Sequence, residues 1–165
     1  MGLFKRKKEE DKNPYLGLRQ EILNMKPSDD LRKVMNDHLV YAAIIDIDRG
    51  NAIATLACVA DGTTSLYYST GGVQMGIGHG DKEVRSATIA FLHSSEQVLD
   101  KLAETREFPL PKDQKHIVYL ITENKIYKQE FDMDKMDNIS KELKFLNFLY
   151  QVVLMKIVKY NKFVP

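Results

Sequence analysis

Two spacings of apolar side chains alternate along the chain and predict its strands and helices. The run Leu39–Ile47 is almost continuously apolar, which is typical of a central strand covered on both faces. Asp61-Gly62 is a strong hairpin signal, so the segments on either side of it are expected to pair as antiparallel strands. These two strands are predicted over 52–60 and 64–70, and a second hairpin is predicted over 116–122 and 126–131.

Apolar positions three and four residues apart predict the helices. The first helix is expected over Pro14–Met25, and a second short one, capped by Ser28 or Asp29, is expected to end at Met35. Asp81 is expected to cap a long helix over 82–104. The last helix, predicted over 139–160, has an apolar arc wider than one core-facing stripe requires, so part of it is expected to contact a second layer or another molecule.

The predicted order of elements is helices, a three-strand meander, a helix, a two-strand hairpin and a final helix. Short turns make neighbouring strands antiparallel, so the predicted fold class is α+β, with a five-stranded antiparallel sheet and helices packed on it. Residues 14–165 are expected to form a single domain. Residues 1–13 are expected to form a disordered charged tail, because apolar side chains are nearly missing after Phe4.

This order of elements resembles the roadblock and profilin-like folds over roughly residues 15–160. Proteins with those folds are mostly scaffolds, GTPase regulators and actin or peptide binders, so the resemblance implies an interaction or regulatory module. The segment D-G-T-T-S-L-Y-Y-S-T-G-G at 61–72 is similar to a D-G-T-x-S-L-Y-x-S-x-G-G segment in a group of small uncharacterised bacterial proteins, and the M-G-L-F start also resembles that group. The second resemblance implies no activity.

Composition and charge exclude several classes of function. The 165 residues carry a formal net charge of +1, which gives no electrostatic case for binding nucleic acid. Cys58, the single cysteine, lies in an apolar strand and is expected to be buried in a reducing, cytoplasmic setting. The histidines and aspartates lack metal-ligand spacing and no segment matches a cofactor motif, so neither a metal nor a cofactor is expected. Contact of Lys5–Lys8 with anionic lipid is an alternative to a solvated tail.

The Gly-rich loop 71–80 contains five of the chain's nine glycines and is the candidate ligand site. Backbone N–H groups before a helix can bind an anion, although the Walker and dinucleotide-binding spacings are missing here. In the alternative, which the residue types favour, the loop is a structural crossover in which glycine permits a positive φ or a close approach of backbone. In the ligand-binding interpretation the Asp81 carboxylate orients the His79 imidazole. The candidate ligand-binding residues are Ser69, Gly76, Gly78, His79 and Asp81.

The final helix carries the candidate interaction surface. Its surplus apolar side chains predict contact with a protein partner or a second copy of the chain, and core packing is the alternative for each position. The candidate residues are Phe145, Phe148, Val152 and Met155. The residues together favour a non-catalytic interaction or regulatory module. The alternative is a small-ligand or anion-binding domain, enzymes included, centred on 71–80.

Overall fold

A computed structural model of the chain describes residues 13–163, in which one antiparallel sheet of seven strands is covered by helices. The prediction of an α+β fold with an antiparallel sheet is confirmed, and the prediction of five strands is wrong. Two short strands, which no apolar run signals, extend the sheet at its edges in the spatial order β4-β3-β2-β1-β6-β7-β5. The strands are β1 (Ala42–Asp48), β2 (Ile53–Val59), β3 (Thr64–Tyr68), β4 (Val73–Gln74), β5 (Ala103–Thr105), β6 (His116–Ile121) and β7 (Ile126–Phe131).

Within this range five helices lie between and around the strands, and two of their predicted caps are present. Ser28 Oγ accepts a hydrogen bond from the backbone N–H of Leu31 at 3.1 Å, and the Asp81 carboxylate accepts one from Val84 N–H at 2.9 Å. The helices are α1 (Tyr15–Leu23), α2 (Asp29–Met35), α3 (Ile77–Gly80), α4 (Lys82–Ser95) and α5 (Lys141–Phe163). Two 3₁₀ segments, Glu96–Lys101 and Met133–Asn138, accompany them.

The long helix predicted to continue to Glu104 ends at Ser95, where the chain tightens into the first 3₁₀ segment and then enters β5. Ser95 and Val98 are both buried, and a spacing of three residues fits the three-residue turn of a 3₁₀ helix. Neither glycine nor proline marks this change, so the apolar spacing alone suggested one continuous helix. Glu104, the predicted last residue of the helix, is paired with Tyr127 in the sheet.

The two faces of the sheet are covered by different helices. Asp46 of β1 lies opposite Thr55 of β2 in the register, so both side chains point to the same face, which we call the α1 face because α1 packs there. Thr64 bonds to Thr88 of α4 and His116 bonds to Tyr150 of α5, which places α4 and α5 on the opposite face. The continuously apolar pattern of the first strand is explained by this double coverage.

The α1 face is held together by a buried polar network. Arg19 of α1 donates to both oxygens of the Asp46 carboxylate, and Thr55 Oγ1 donates to Asp46 Oδ1 at 2.6 Å. The Tyr15 hydroxyl lies 2.6 Å from Thr55 Oγ1. Arg19 is 5% exposed and Asp46 is 0% exposed, so solvent does not replace these bonds. Burial raises the pKa of Asp46, and the bonds from Arg19 and Thr55 oppose that effect.

The opposite face is a largely apolar core. The buried residues of α5, at helical spacing, pack against the sheet and against α4. They are Leu146, Tyr150, Val153 and Ile157. Cys58 also points to this face and is fully buried, as the sequence predicts, and burial raises the pKa of its thiol to about 12. The position of α5 is therefore set by one side of the helix, which leaves the other side free for contacts.

Candidate functional site

The outer side of α5 carries exposed apolar side chains. Phe148 is 60% exposed and Met155 is 62% exposed, two helical turns apart on the side that faces away from the sheet. Val152 is half-buried between them, and Val158 is exposed one turn further on. We call these four residues the α5 outer face. Phe145, the fourth residue of the predicted surface, is half-buried and packs against the core, so it lies at the edge of the exposed face.

Lysines surround the α5 outer face. The helix contains five lysines and one glutamate, whereas the whole chain has a formal net charge of +1. Lys141, Lys144 and Lys159 are exposed. Glu83 of α4 binds Lys159 at 2.9 Å and Lys156 at 3.6 Å, and these lysines lower the pKa of Glu83. The arrangement is an apolar stripe with a basic border.

The Gly-rich segment 71–80 is folded into two short elements, β4 and the single turn α3, which pack on neighbouring parts of the protein. A Cβ atom built on Gly78 would lie 2.0 Å from the carbonyl oxygen of Gly62, so at Gly78 the backbone packs directly on the backbone of the β2–β3 turn. A Cβ atom on Gly80 would lie 2.9 Å from the Tyr160 hydroxyl of α5. Gly76 has a φ of 69°, the left-handed conformation that glycine adopts without strain. Each of these glycines therefore has a conformational or packing role.

The candidate ligand residues near this segment are divided between the two ends of β3. His79 is exposed, and its Nε2 lies 3.2 Å from Thr63 Oγ1, just before β3. Ser69 follows β3, and its hydroxyl accepts a bond from Ile53 N–H at 2.8 Å. Six residues of extended chain separate Thr63 from Ser69, or about 20 Å. A single small ligand cannot contact both Ser69 and His79 in this arrangement.

Asp81 does not orient His79 as predicted. Its carboxylate caps α4 through Val84 N–H, and the hydrogen-bond partner of the His79 ring is Thr63. The N-cap geometry explains the difference, because an Asp side chain that bonds the third residue of its own helix points along that helix. Gly76 donates its N–H to Ser65 Oγ at 3.4 Å, so that backbone donor already has a protein partner. Ligand binding by Ser69, Gly76, Gly78, His79 and Asp81 stays a prediction, with Ser69 and His79 too far apart to share one small ligand.

Sequence reasoning missed a cluster around His116, which begins β6 under α5. Asn147 Nδ2 donates to the Tyr150 hydroxyl at 2.6 Å, and that hydroxyl lies 2.8 Å from His116 Nδ1. Because Asn147 donates to it, the buried Tyr150 hydroxyl can direct its own proton to Nδ1, and a neutral imidazole then carries its proton on Nε2. Burial lowers the pKa of His116, which keeps the ring neutral, and it raises the pKa of Tyr150.

A cavity of about 280 Å³ lies beside His116, between α5 and the ends of β1, β2 and β3. Its polar lining consists of Arg49, His116, Gln151 and Asn161, with the Tyr68 ring on one wall. Its apolar walls are Ile47, Ala54, Leu66, Leu154, Ile157 and Val158. Tyr150 and His116 lie 34 residues apart in the chain, so no local motif signals this cluster. The one signal of this cluster in the sequence was a single histidine at the start of a predicted strand.

Metal-binding clusters and membrane-spanning helices are both absent from the part of the chain that the structure describes. In the range 13–163, no group of three or more histidine, cysteine or carboxylate side chains is arranged to hold a metal ion. None of the helices in that range has both the length and the apolar character needed to cross a membrane. The predicted tail, including Lys5–Lys8, lies outside the described residues except for Asn13.

Comparison of the chain with models of known protein families, with curated proteins and with solved structures found no match.

Proposed function

We propose that the protein is a non-catalytic interaction module of roadblock/profilin-like architecture, and that the α5 outer face is its contact surface. The observation that carries the proposal is the exposure of Phe148 and Met155, 60% and 62%, on a helix whose opposite side is fully buried. Large apolar side chains clustered on one exposed face are typical of a protein-contact site. The surrounding lysines resemble the polar rim of an interface.

The partner is a different protein rather than a second copy of this chain. An antiparallel α5 pair centred between Gln151 and Val152 would place Phe148 opposite Met155, but it would also place Lys144 opposite Lys159. A parallel pair would place each lysine opposite its own copy. Like charges facing each other disfavour the parallel arrangement most, because in the antiparallel one Lys159 is already bound to Glu83. Charge complementarity instead favours a partner that presents apolar side chains bordered by aspartate or glutamate.

An acidic amphipathic helix fits this surface. Phe148, Val152 and Met155 follow the i, i+4, i+7 spacing, and a partner helix with the same spacing can place its apolar anchors between them. Its carboxylates would then lie next to Lys141 and Lys144, and next to Lys159, which already binds Glu83. Such rim charges act mainly on the association rate and on specificity, so binding is expected to weaken as salt is added.

The test is selection of peptides from a displayed random library on the folded protein, followed by measurement of their affinity by fluorescence polarisation. We expect peptides with apolar residues at helical spacing and flanking acidic residues. Phe148→Ser or Met155→Ser should weaken binding by at least about ten-fold, as is usual for the central anchors of an interface. Leu16→Ser on α1 is the matched control, because Leu16 is also 62% exposed but lies on the other face of the sheet.

Three results would contradict the proposal. The first is a set of selected peptides without acidic residues. The second is an equal loss of affinity in Leu16→Ser. The third is a dimer in sedimentation equilibrium that dissociates in Phe148→Ser, which would show that the surface binds a second copy.

A further inference from the structure

The cavity beside His116 combines apolar walls with hydrogen-bond donors, and no carboxylate lines it. Arg49, which lies in the turn between β1 and β2, is the one permanently charged side chain that lines the cavity. Within residues 13–163, the Arg49 guanidinium forms no ion pair and no hydrogen bond, unlike Arg19 and Arg32, which are paired with Asp46 and Glu123. An unpaired arginine at the rim of a cavity gives a positive potential that attracts an anion.

The Asn147–Tyr150–His116 chain supplies a second donor. Because the Tyr150 proton is directed to Nδ1, the His116 proton is on Nε2, and that nitrogen has no hydrogen-bond partner among the described residues. In this tautomer Nδ1 is an acceptor for the buried Tyr150 proton, which would be unfavourable if left unpaired. In this tautomer His116 offers a hydrogen-bond donor to the cavity that Arg49 also lines.

The remaining walls determine which chemical group can lie deeper in the cavity than the anion. Ala54 and Leu66 come from the sheet, and Leu154 and Ile157 come from α5, so the interior accepts a hydrocarbon rather than a second charged group. The small Ala54 side chain leaves the space between the strands and the helix. A volume of about 280 Å³ is at the lower end of small-molecule sites and is too small for a nucleotide with several phosphates.

We propose that this cavity binds a small carboxylic acid with an apolar body, its carboxylate held by Arg49 and His116 Nε2–H and its hydrocarbon between α5 and the sheet. The two donors are of the kinds that bind a carboxylate, because the guanidinium gives a planar pair of N–H groups and the imidazole gives a single one. This site adjoins the α5 outer face and shares only Val158 with it. It is formed by the flank and inner side of the helix and does not depend on the proposed protein partner.

The test is isothermal titration of the full chain with octanoate at neutral pH, compared with 1-octanol and acetate. Octanoate should bind saturably and at least about ten-fold more tightly than octanol, because a hydrogen bond to a charged group is stronger than one to a neutral group. Acetate, which lacks the apolar body, should bind too weakly to detect. Arg49→Gln should remove most of the preference for octanoate over octanol. Arg106→Gln, the same change at an exposed arginine remote from the cavity, should leave it unchanged.

A second variant separates loss of binding from loss of folding. Ala54→Leu fills the interior of the cavity and should abolish octanoate binding, and its urea unfolding curve shows whether the fold persists. In NMR spectra of the imidazole nitrogens, His116 should show the Nε2–H tautomer and its signals should shift with octanoate. The proposal is overturned if octanoate does not bind saturably at millimolar concentration. It is equally overturned if octanol binds as tightly, or if Arg49→Gln retains the full preference.

Discussion

The two faces of the sheet are held by different interactions. On one face, α1 has nine residues, and its position is set by the bonds from Arg19 to Asp46 and from Tyr15 to Thr55. On the other face, α5 has 23 residues, and its position is set by buried apolar side chains such as Leu146 and Val153. A short helix buries little apolar surface, so directed polar bonds determine where it lies.

This difference explains where a contact surface can develop. The polar network needs every donor and acceptor, so the α1 face tolerates little change. The apolar attachment of α5 uses one side of a long helix, and its outer side is free to carry Phe148 and Met155. The α4/α5 side of the molecule therefore carries both the exposed apolar face and the cavity beside His116, although another cavity of about 230 Å³ lies on the α1 side, next to Leu23 and Phe108.

The largest effect on stability is expected from Asp46→Ala, which removes the carboxylate that accepts hydrogen bonds in the buried polar network of the α1 face. It leaves Arg19 charged, buried and unpaired, so the free energy of unfolding should fall by about 4 kcal/mol, as is typical when one partner of a buried pair is removed. Urea unfolding measures this change. The double variant Arg19→Met/Asp46→Leu should recover much of the loss, because no buried charge remains. A double variant no more stable than Asp46→Ala would show that shape, and not the unpaired charge, limits stability here.

A smaller loss is expected on the other face from Leu146→Ala. Leu146 is 0% exposed, and its replacement leaves a cavity in the core, so the free energy of unfolding should fall by about 3 kcal/mol. Phe148→Ser, two residues further along the same helix, should change it by less than about 0.5 kcal/mol, because Phe148 is already largely in solvent. Equal losses in the two variants, measured by urea unfolding, would contradict the division of α5 into a buried and a free side.

The elements with strong local patterns were predictable, and those that depend on distant partners were not. β1 was evident from its apolar run, and the Asp81 cap from its place before an apolar stripe. β4 has two residues and β5 has three, too few for a period, and both exist because a neighbouring strand offers bonds to an edge. This explains the error in strand number.

The candidate sites differ in the same way. Phe148 and Met155 could be identified from the sequence, because helical spacing is a local property of the chain. Asp46 was not predicted as a paired residue, although one carboxylate within an apolar strand can indicate a buried pair, and its partner Arg19 lies 27 residues earlier. His116 and Tyr150 are 34 residues apart, and only the folded chain brings them together.

The last and smallest effect on stability is expected in mild acid. Two histidines with lowered pKa values, His93 and His116, both lie on the side of the sheet that α4 and α5 cover. His93 of α4 stacks on His38 with ring centroids 3.6 Å apart, and its buried Nε2 has no hydrogen-bond partner among the described residues. His38 Nδ1 in turn lies 3.1 Å from a Glu96 carboxylate oxygen. Burial, and to a smaller extent the neighbouring His38, lowers the pKa of His93 below 6.5, while Glu96 acts in the opposite direction.

A histidine whose pKa is lower in the folded protein binds fewer protons there than in the unfolded chain, so stability falls as the pH falls below about 6.5. The effect is complete once the pH is below the folded-state pKa.

His93→Leu removes this titration and the unpaired nitrogen, so the variant should unfold at a higher urea concentration than the wild type at pH 5, and its stability should depend less on pH. A slope remains, because the pKa of His116 is lowered in the same direction. His79→Gln, at an exposed histidine, is the control. A pH dependence unchanged in His93→Leu would contradict a contribution from the stacked pair and would leave His116 as the remaining histidine with a lowered pKa on this face.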